Sequence, residues 1–226
     1  YGGTNDLDNS GIIKYVSIRH GGANIGEGNE INGLTLGGVG SNTIIENVEI
    51  VANQDDGVEW FGGTVNVKNI IVWNAGDDAI DTDQSYSGTI ENIFIINPGD
   101  ECFELDGPEG SYEGKGHTIK NATVLCEDAS GLIDYDDNTD VNMTNIYFKN
   151  VKYSQDIEGY SGYKSNTKGF SSSSFEVTLP DGVELTDIFT EGSDLITNVV
   201  ELGQETVGSN LINLNWSWTY LEGKIN

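Results

Sequence analysis

A motif of eleven residues returns along the first two thirds of the chain, and it constrains the fold more than any other feature. It starts with Asn, alternates apolar and polar residues and closes on an acidic pair and a small residue, as in Asn47–Gly57, Asn69–Ala79 and Asn92–Cys102. Asn121–Gly131 is a weaker copy, and Asn145–Asn150 begins a fifth. Successive copies start 22, 23, 29 and 24 residues apart. A fixed inner spacing with a variable outer period is typical of a solenoid whose insertions fall in loops.

The repeats contain short β-type segments and no helical periodicity. Each repeat is expected to carry at least three short strands: one before the Asn, one after it and one after the small residue. Strands of this length, recurring without helices, favour a parallel β-helix, in which equivalent residues stack about 4.8 Å apart. We therefore expect an all-β chain with about five coils in residues 1–153. Residues 154–226 are expected to form an irregular β cap that covers the open end, as part of a single domain.

The repeat also predicts which side chains point inward, because side chains alternate along a strand. The expected core positions are Val48, Ile50, Ile70, Val72, Ile93, Ile95, Val58, Ile80 and Phe103. The next residues after the last three, Glu59, Asp81 and Glu104, should then point outward. The repeated asparagines are expected to form a structural ladder of side-chain amides: Asn47, Asn69, Asn92, Asn121 and Asn145.

Stacking the repeats also stacks carboxylates, and like charges about 4.8 Å apart repel each other. Because calcium accepts clustered oxygen ligands in loose geometry, the pattern predicts Ca²⁺ sites. The candidate ligands are Asp55, Asp56, Asp77, Asp78, Asp81, Asp83, Asp100, Glu101, Glu104 and Asp106. The alternative is that the Asp pairs only form turns by accepting backbone N–H groups.

The net charge of −27, from 37 acidic and 10 basic residues, makes nucleic acid and anionic lipid poor partners. Such a surface also suits a secreted protein in salt water. No run is long enough for a transmembrane helix. Cys102 and Cys126 are expected to be two buried thiols, since the repeat places them about five residues apart along the coil. Trp216 and Trp218 are expected to pack within the cap.

Three other functions are weaker alternatives: a polygalacturonase-like hydrolase, a lyase and an ice-binding protein. The acidic segments 53–57 and 76–79 and Gly116-His117-Thr118 resemble polygalacturonase motifs, but that family's Arg-x-Lys clamp has no counterpart, since Arg19 is the only arginine. A lyase would need a base, and Lys115 and Lys120 are the only nearby basic residues. His117 and His20 are expected to be packing or loop residues. A threonine column for ice binding would contain only Thr43, Thr89 and Thr118.

The segments 11–22, 29–36, 55–65 and 76–83 resemble secreted surface proteins of Bacteroidetes-type bacteria. The resemblance covers about residues 10–110. It implies a right-handed parallel β-helix of the pectin-lyase-like class and a secreted or outer-surface location, and it implies no particular activity.

These observations favour a non-enzymatic extracellular or cell-surface β-helix module for adhesion or glycan binding, stabilised by calcium. Its expected partner is an extracellular glycan or another surface protein, and the inserted segment 107–116 is a candidate binding loop. The alternative function is a polysaccharide-degrading enzyme of the same fold, either a polygalacturonase-like hydrolase or a polysaccharide lyase.

Overall fold

Two parallel sheets run the length of the molecule. The computed structural model describes residues 3–26, 31–136, 138–162 and 174–225. The long sheet holds eight strands in the order β1 (Ile12–Arg19), β3 (Ile44–Val51), β5 (Val67–Trp73), β7 (Thr89–Ile96), β9 (His117–Leu125), β11 (Val141–Lys149), β13 (Ser174–Val177) and β14 (Thr197–Val199). The short sheet holds six: β2 (Leu34–Gly37), β4 (Val58–Phe61), β6 (Ile80–Asp83), β8 (Phe103–Leu105), β10 (Ile133–Tyr135) and β12 (Ile157–Glu158). Strands β1 to β13 alternate between the two sheets, and the chain is a right-handed parallel β-helix, as the repeat predicts.

Each coil has two strands in place of the expected three. The segments before and after each repeated Asn form one strand of the long sheet, bent at that residue. All five asparagines adopt a left-handed backbone, with φ between 59° and 62°. Tyr15 takes the equivalent place in β1 with φ 55°. Asn tolerates this conformation better than most residues, which explains its return at every bend.

The asparagine ladder is confirmed in two parts. Asn69 Nδ2 donates to Asn47 Oδ1 at 2.7 Å, and Asn92 Nδ2 donates to Asn69 Oδ1 at 2.7 Å. Asn145 Nδ2 donates to Asn121 Oδ1 at 3.0 Å. Between the two parts, Asn92 Oδ1 instead accepts the backbone N–H of Asn210 at 2.6 Å. The ladder therefore also anchors the C-terminal segment.

The core has the predicted register. Val58, Ile80 and Phe103 are consecutive partners across β4, β6 and β8, and all three are fully buried. The other six expected core residues are equally buried. Cys102 and Cys126 are free, buried thiols, as expected.

Two alignments made from the sequence are wrong by one residue. Gly131 pairs with Glu101 and not with Cys102, so the fourth repeat is displaced by one position. Thr89 and Thr118 do pair, but the position expected for Thr43 belongs to Ile44, since Ile45, Val67, Ile90 and Ile119 share one column. Thr43 is buried and accepts the N–H of Ser10 at 2.8 Å, so it does not extend the Thr89–Thr118 pair into a column of three.

Strand stacking continues past residue 153, where the cap was expected to begin. β12 pairs with β10, and β13 pairs with β11. A short helix, α1 (Leu185–Ile188), and a 3₁₀ turn, Ser193–Ile196, separate β13 from β14. The division into coils and cap as parts of one domain stays a prediction.

Residues 205–225, called the strap below, lie on the outer face of the long sheet, whereas the sequence placed the C-terminal segment over the open end. Glu176 accepts the N–H of Thr206 at 2.7 Å, and Glu49 accepts the N–H of Thr219 at 2.7 Å. The strap includes a 3₁₀ turn, Leu211–Leu214, and helix α2 (Trp218–Leu221). It thus runs from β13 back to the first coils.

Apolar side chains that point outward from the long sheet explain this path. Ile71 and Phe94 pack with Leu214 and Ile225 of the strap, all at most 2% exposed. Trp218 stacks on Trp73 with ring centroids 5.3 Å apart. Trp216 contacts Tyr15 edge-on at 5.9 Å. Both strap tryptophans pack as expected, but against the sheet face.

Candidate metal centre

Carboxylates line the turns that lead into the short sheet. Asp56 and Asp78 occupy the same place in consecutive coils, and each accepts a backbone N–H from the next coil. The Asp78 N–H donates to Asp56 Oδ1 at 3.1 Å, and the Glu101 N–H donates to Asp78 Oδ1 at 2.7 Å. These carboxylates therefore do form turns. Since each uses one oxygen for the turn, the other oxygen can still bind a cation.

A second column of carboxylates follows the short sheet itself. Glu59, Asp81, Glu104, Asp134 and Glu158 are register partners in five successive strands. We call this set the acidic column. Asp81 is 7% exposed, whereas Glu158 lies open to solvent. Neighbouring strands are about 4.8 Å apart, so five carboxyl groups stand in a row at that spacing.

The two columns meet at Asp56 and form two overlapping triads. One oxygen from each of Asp55, Asp56 and Asp77 lies within 4.8 Å of the others. The same holds for Asp56, Glu59 and Asp81. Asp56 is common to both triads and is 7% exposed. Carboxylate oxygens at this density are the ligand type that calcium and other hard cations prefer.

Burial makes the charged form of these groups unfavourable. It raises the pKa of Asp56 to about 8, and neighbouring Asp55 adds to that rise. Burial likewise raises the pKa of Asp81, with added repulsion from Asp56 and Glu59. The pKa values of Glu59 and Asp78 are raised for the same first reason. A bound cation would reverse these shifts, because it stabilises the ionised form.

The long sheet contains a column of a different kind. Lys14, Glu46, Lys68, Glu91 and Lys120 are register partners in β1, β3, β5, β7 and β9. We call this set the alternating column. Its ion pairs include Lys14–Glu46 at 3.0 Å, Lys68–Glu91 at 3.7 Å and Lys120–Glu91 at 3.4 Å. Within the described ranges, the two remaining ion pairs involve Glu49 and Asp128, so none reaches the acidic column.

The other predicted ligands lie near the triads but outside them. Asp83 and Asp106 extend a third line of carboxylates at the ends of β6 and β8, and burial raises both pKa values, that of Asp106 to about 7. Glu101 and Glu104 continue the two main columns into the next coil. Asp100 is exposed in the turn before β8.

Three members of the acidic column were absent from the predicted ligand set. Glu59 was placed correctly on the outer face but was not among the chosen ligands. Asp134 was missed because the fourth repeat was aligned one residue out of register, and Glu158 was missed because the coils were expected to end at residue 153. Matching Leu132-Ile-Asp-Tyr135 with Cys102-Phe-Glu-Leu105 gives the correct register and finds Asp134.

A buried oxygen in the same turn has no partner among the residues that the structure describes. Asn53 is 3% exposed, and its Nδ2 donates to the carbonyls of Ile31 and Asp56, both at 2.9 Å. Its Oδ1 has no hydrogen-bond partner. A buried amide oxygen beside clustered carboxylates is consistent with the oxygen-only donor set of a calcium site.

Three of the residues considered for catalysis lie inside the core or on the other sheet. His117 is 3% exposed, its Nε2 is 3.2 Å from Thr82 Oγ1, and burial lowers its pKa to about 3. Lys120 belongs to the alternating column of the other sheet. Arg19 contacts Glu49 at 3.6 Å and lies 4.3 Å from the Trp218 ring centroid, beside the strap.

The inserted segment 107–116 borders a groove of about 950 Å³. Glu109 and Tyr112 line one side, Phe61 and Gln84 lie nearby, and the segment around Asp6 lines the other side. Tyr112 is 62% exposed. An exposed aromatic ring beside carboxylate and amide groups can stack on a sugar and hydrogen-bond its hydroxyls.

A comparison with known protein families identifies the family to which this architecture belongs. Residues 1–218 match the family described as the pectate-lyase like beta helix domain. The chain belongs to this family. No curated protein and no solved structure matches this pectate-lyase-like domain. In the parts of the chain that the structure describes, no helix is long and apolar enough to span a membrane.

Proposed function

We propose that the chain is a non-enzymatic, extracellular β-helix module that binds calcium on its short sheet and attaches to a glycan or to another surface protein. The observation that carries the calcium proposal is the contrast between the two columns. The alternating column neutralises its carboxylates with lysines from adjacent coils. Among the described residues, the acidic column has no lysine or arginine in its register, so its carboxylates must be neutralised by protons or by a cation from solution.

The donor set favours calcium over softer metals. The triads offer carboxylate oxygens only, and Asn53 adds an amide oxygen in the same turn. Histidine and cysteine, which zinc and copper prefer, are absent from both triads. Calcium accepts six to eight oxygens in loose geometry, so water or a bound uronate could complete its shell. A secreted protein would meet calcium at millimolar concentrations, where weak sites fill.

Attachment to a glycan is supported by the groove beside segment 107–116. Its aromatic rings and polar groups suit sugar recognition, and its size suits several sugar units rather than one. Acidic glycans would need calcium as a bridge, since the surface is strongly negative. Neutral glycans could bind directly.

The competing proposal is a polysaccharide-degrading enzyme of the same fold. Carboxyl groups with raised pKa values, such as Asp56, are what a general acid requires. Against this proposal, Arg19 and Lys120 lie on the other sheet, so neither can serve as a lyase base at the triads. His117 is buried and neutral, which removes it as a proton donor at the surface.

One experiment separates the two functions. The full chain would be incubated with polygalacturonate, alginate and a neutral glucan, each with calcium and with EDTA. We expect retention on at least one immobilised glycan and no release of reducing ends or unsaturated products. Product formation that disappears in Asp56→Asn would establish the enzyme instead. Loss of retention in Tyr112→Ala, with a normal melting curve, would place the glycan in the groove.

A further inference from the structure

The groove beside segment 107–116 crosses the turns of several coils. Its floor includes Gly38, Phe61 and Gln84, which lie at or just after the ends of β2, β4 and β6. The groove therefore lies on the side of the β-helix, and a coil stacked on β1 would extend the end of the solenoid without filling it. A groove that passes over successive coils suits a chain molecule, because each coil can contact a further unit of the ligand.

Hydrogen bonds to the coils hold both walls of the groove in place. On the N-terminal wall, the carbonyl of Asp6 accepts the hydroxyl of Thr64 at 2.6 Å. On the wall formed by segment 107–116, the N–H of Gly114 donates to Ser85 Oγ at 3.0 Å. Because both walls are anchored, the groove is pre-formed, which lowers the entropic cost of binding.

The charged residues along the groove are all acidic. Asp6 and Asp8 lie on the N-terminal wall and Glu109 on the opposite wall, and all three are exposed. Gln84 Nε2 donates to Glu109 Oε2 at 3.5 Å. Among the described residues that line the groove, none is lysine, arginine or histidine. Carboxylates on both walls attract a cationic ligand and repel an anionic one.

We propose that the groove binds a polysaccharide of amino sugars that carry free ammonium groups. This inference rests on the glycan-binding function proposed above and names the class of its ligand. The ammonium groups pair with Glu109 and with Asp6 or Asp8, and the exposed ring of Tyr112 stacks on the face of a sugar. A neutral glycan gains the stacking alone, and an acidic glycan is repelled unless calcium bridges it to the protein.

The probe is a glucosamine tetramer with free amino groups, and its N-acetylated form is the matched neutral ligand. Binding to the full chain would be measured by calorimetry in calcium-free, mildly acidic buffer, in which the amines are protonated. We expect the charged tetramer to bind at least about fivefold more tightly, the upper range for an exposed ion pair. Glu109→Gln should remove most of that preference and leave the affinity for the N-acetylated form unchanged. Asp181→Asn, the same change in charge at an exposed position outside the groove, should alter neither affinity.

Three results would overturn the proposal. The first is equal or tighter binding of the N-acetylated tetramer, which would leave the glycan-binding function standing with a neutral ligand. The second is equal weakening by Glu109→Gln and Asp181→Asn, which would show attraction by the whole acidic surface. The third is no binding of either tetramer at up to about 1 mM, the weak end of specific affinity. Retention on polygalacturonate, alginate or glucan would then still support glycan attachment, and absence of that retention would end both proposals.

Discussion

The outer faces of the two sheets of this β-helix differ in how they are covered and in how their charges are neutralised. The long sheet carries outward apolar side chains, which the strap covers, and carboxylates that alternate with lysines. The short sheet carries the acidic column and the triads, with no covering segment among the described residues and no lysine in its register. The chain itself thus covers and neutralises the outer face of the long sheet. The carboxylates of the short sheet need a bound cation or protons for neutralisation. An acidic composition alone therefore does not explain the acidic column, because the same chain pairs the carboxylates of the alternating column with lysines.

Solenoids stack by nearest-neighbour contacts, and the strap departs from that rule. It joins β13 to the first coils through Glu176 at one end and Glu49 at the other. Contacts between distant coils should make unfolding more cooperative than in a simple repeat array.

The largest expected effect is at the face that the strap covers. Ile71→Asp places a charge at a fully buried position between the long sheet and the strap. We expect a loss of several kcal/mol in the free energy of unfolding, because an unpaired buried charge is costly. Ile71→Val is the matched control and should cost about 0.5–1.5 kcal/mol. Both values come from urea unfolding, and equal midpoints for the two variants would show that the strap does not bury this face.

The second-largest effect on stability is expected from protonation of the carboxylates on the short sheet. In EDTA, the free energy of unfolding should rise as the pH falls from about 8 to about 5. The folded pKa of Asp56 is about 8, above its unfolded value of 3.8, and the pKa values of Glu59, Asp78 and Asp81 are also raised. Between pH 8 and pH 5 the folded state binds more protons than the unfolded state, so lowering the pH stabilises the folded state. Calcium should reverse the trend, because metal binding competes with protonation.

Unfolding curves measured at several pH values in EDTA and in calcium would check this. Glu176, whose pKa is lowered by its hydrogen bonds to Thr206 and Val207, contributes the opposite trend. That contribution is lost only below its usual pKa of 4.5, so it lies outside the window. His117 opposes the trend inside the window, because burial lowers its folded pKa to about 3 and the unfolded state takes up the proton below about pH 6.5. One histidine offsets only part of the gain from the four carboxyl groups with raised pKa values. A metal-free stability that falls steadily from pH 8 to pH 5 would contradict the raised pKa values.

A smaller effect is expected from one member of the acidic column. Asp81→Asn removes a carboxyl group whose charged form is unfavourable, while the amide can still donate to Glu59. Without metal at pH 7, the variant should be more stable than the wild type by about 1 kcal/mol or more, the equivalent of one pKa unit. With calcium bound, the wild type should be more stable than the Asp81→Asn variant. Asp181→Asn, at an exposed position outside the columns, should change neither value.

The smallest effect is expected in the alternating column. Lys68→Gln removes an exposed ion pair with Glu91, and such pairs contribute about 0–1 kcal/mol. Calcium should stabilise this variant as much as the wild type. A calcium response that changed with Lys68 would mean that the two sheets do not differ in the way described above.

Much of the fold was predictable because the repeat has a period that the backbone must satisfy. The asparagine ladder follows from the repeat of Asn at one position, and the inward column of Val58, Ile80 and Phe103 follows from strand alternation. The strap was not predictable in its position, because its contacts join residues more than a hundred positions apart, such as Asn92 and Asn210. Parts of the site were missed for a local reason, since a one-residue error at Gly131 hid Asp134. The sharing of Asp56 by two triads depends on side-chain positions that no repeat pattern specifies.

Calcium titration of two matched double variants by isothermal calorimetry tests the central claim most directly. Glu59→Gln with Asp81→Asn removes two carboxylates from the acidic column, and Glu46→Gln with Glu91→Gln removes two from the alternating column. The change in net charge is the same. We predict that the first variant binds calcium at least about tenfold more weakly than the wild type, a difference of 1.4 kcal/mol, and that the second keeps wild-type affinity. Equal weakening in both variants, or no calcium binding by the wild type, would contradict a metal centre on the short sheet.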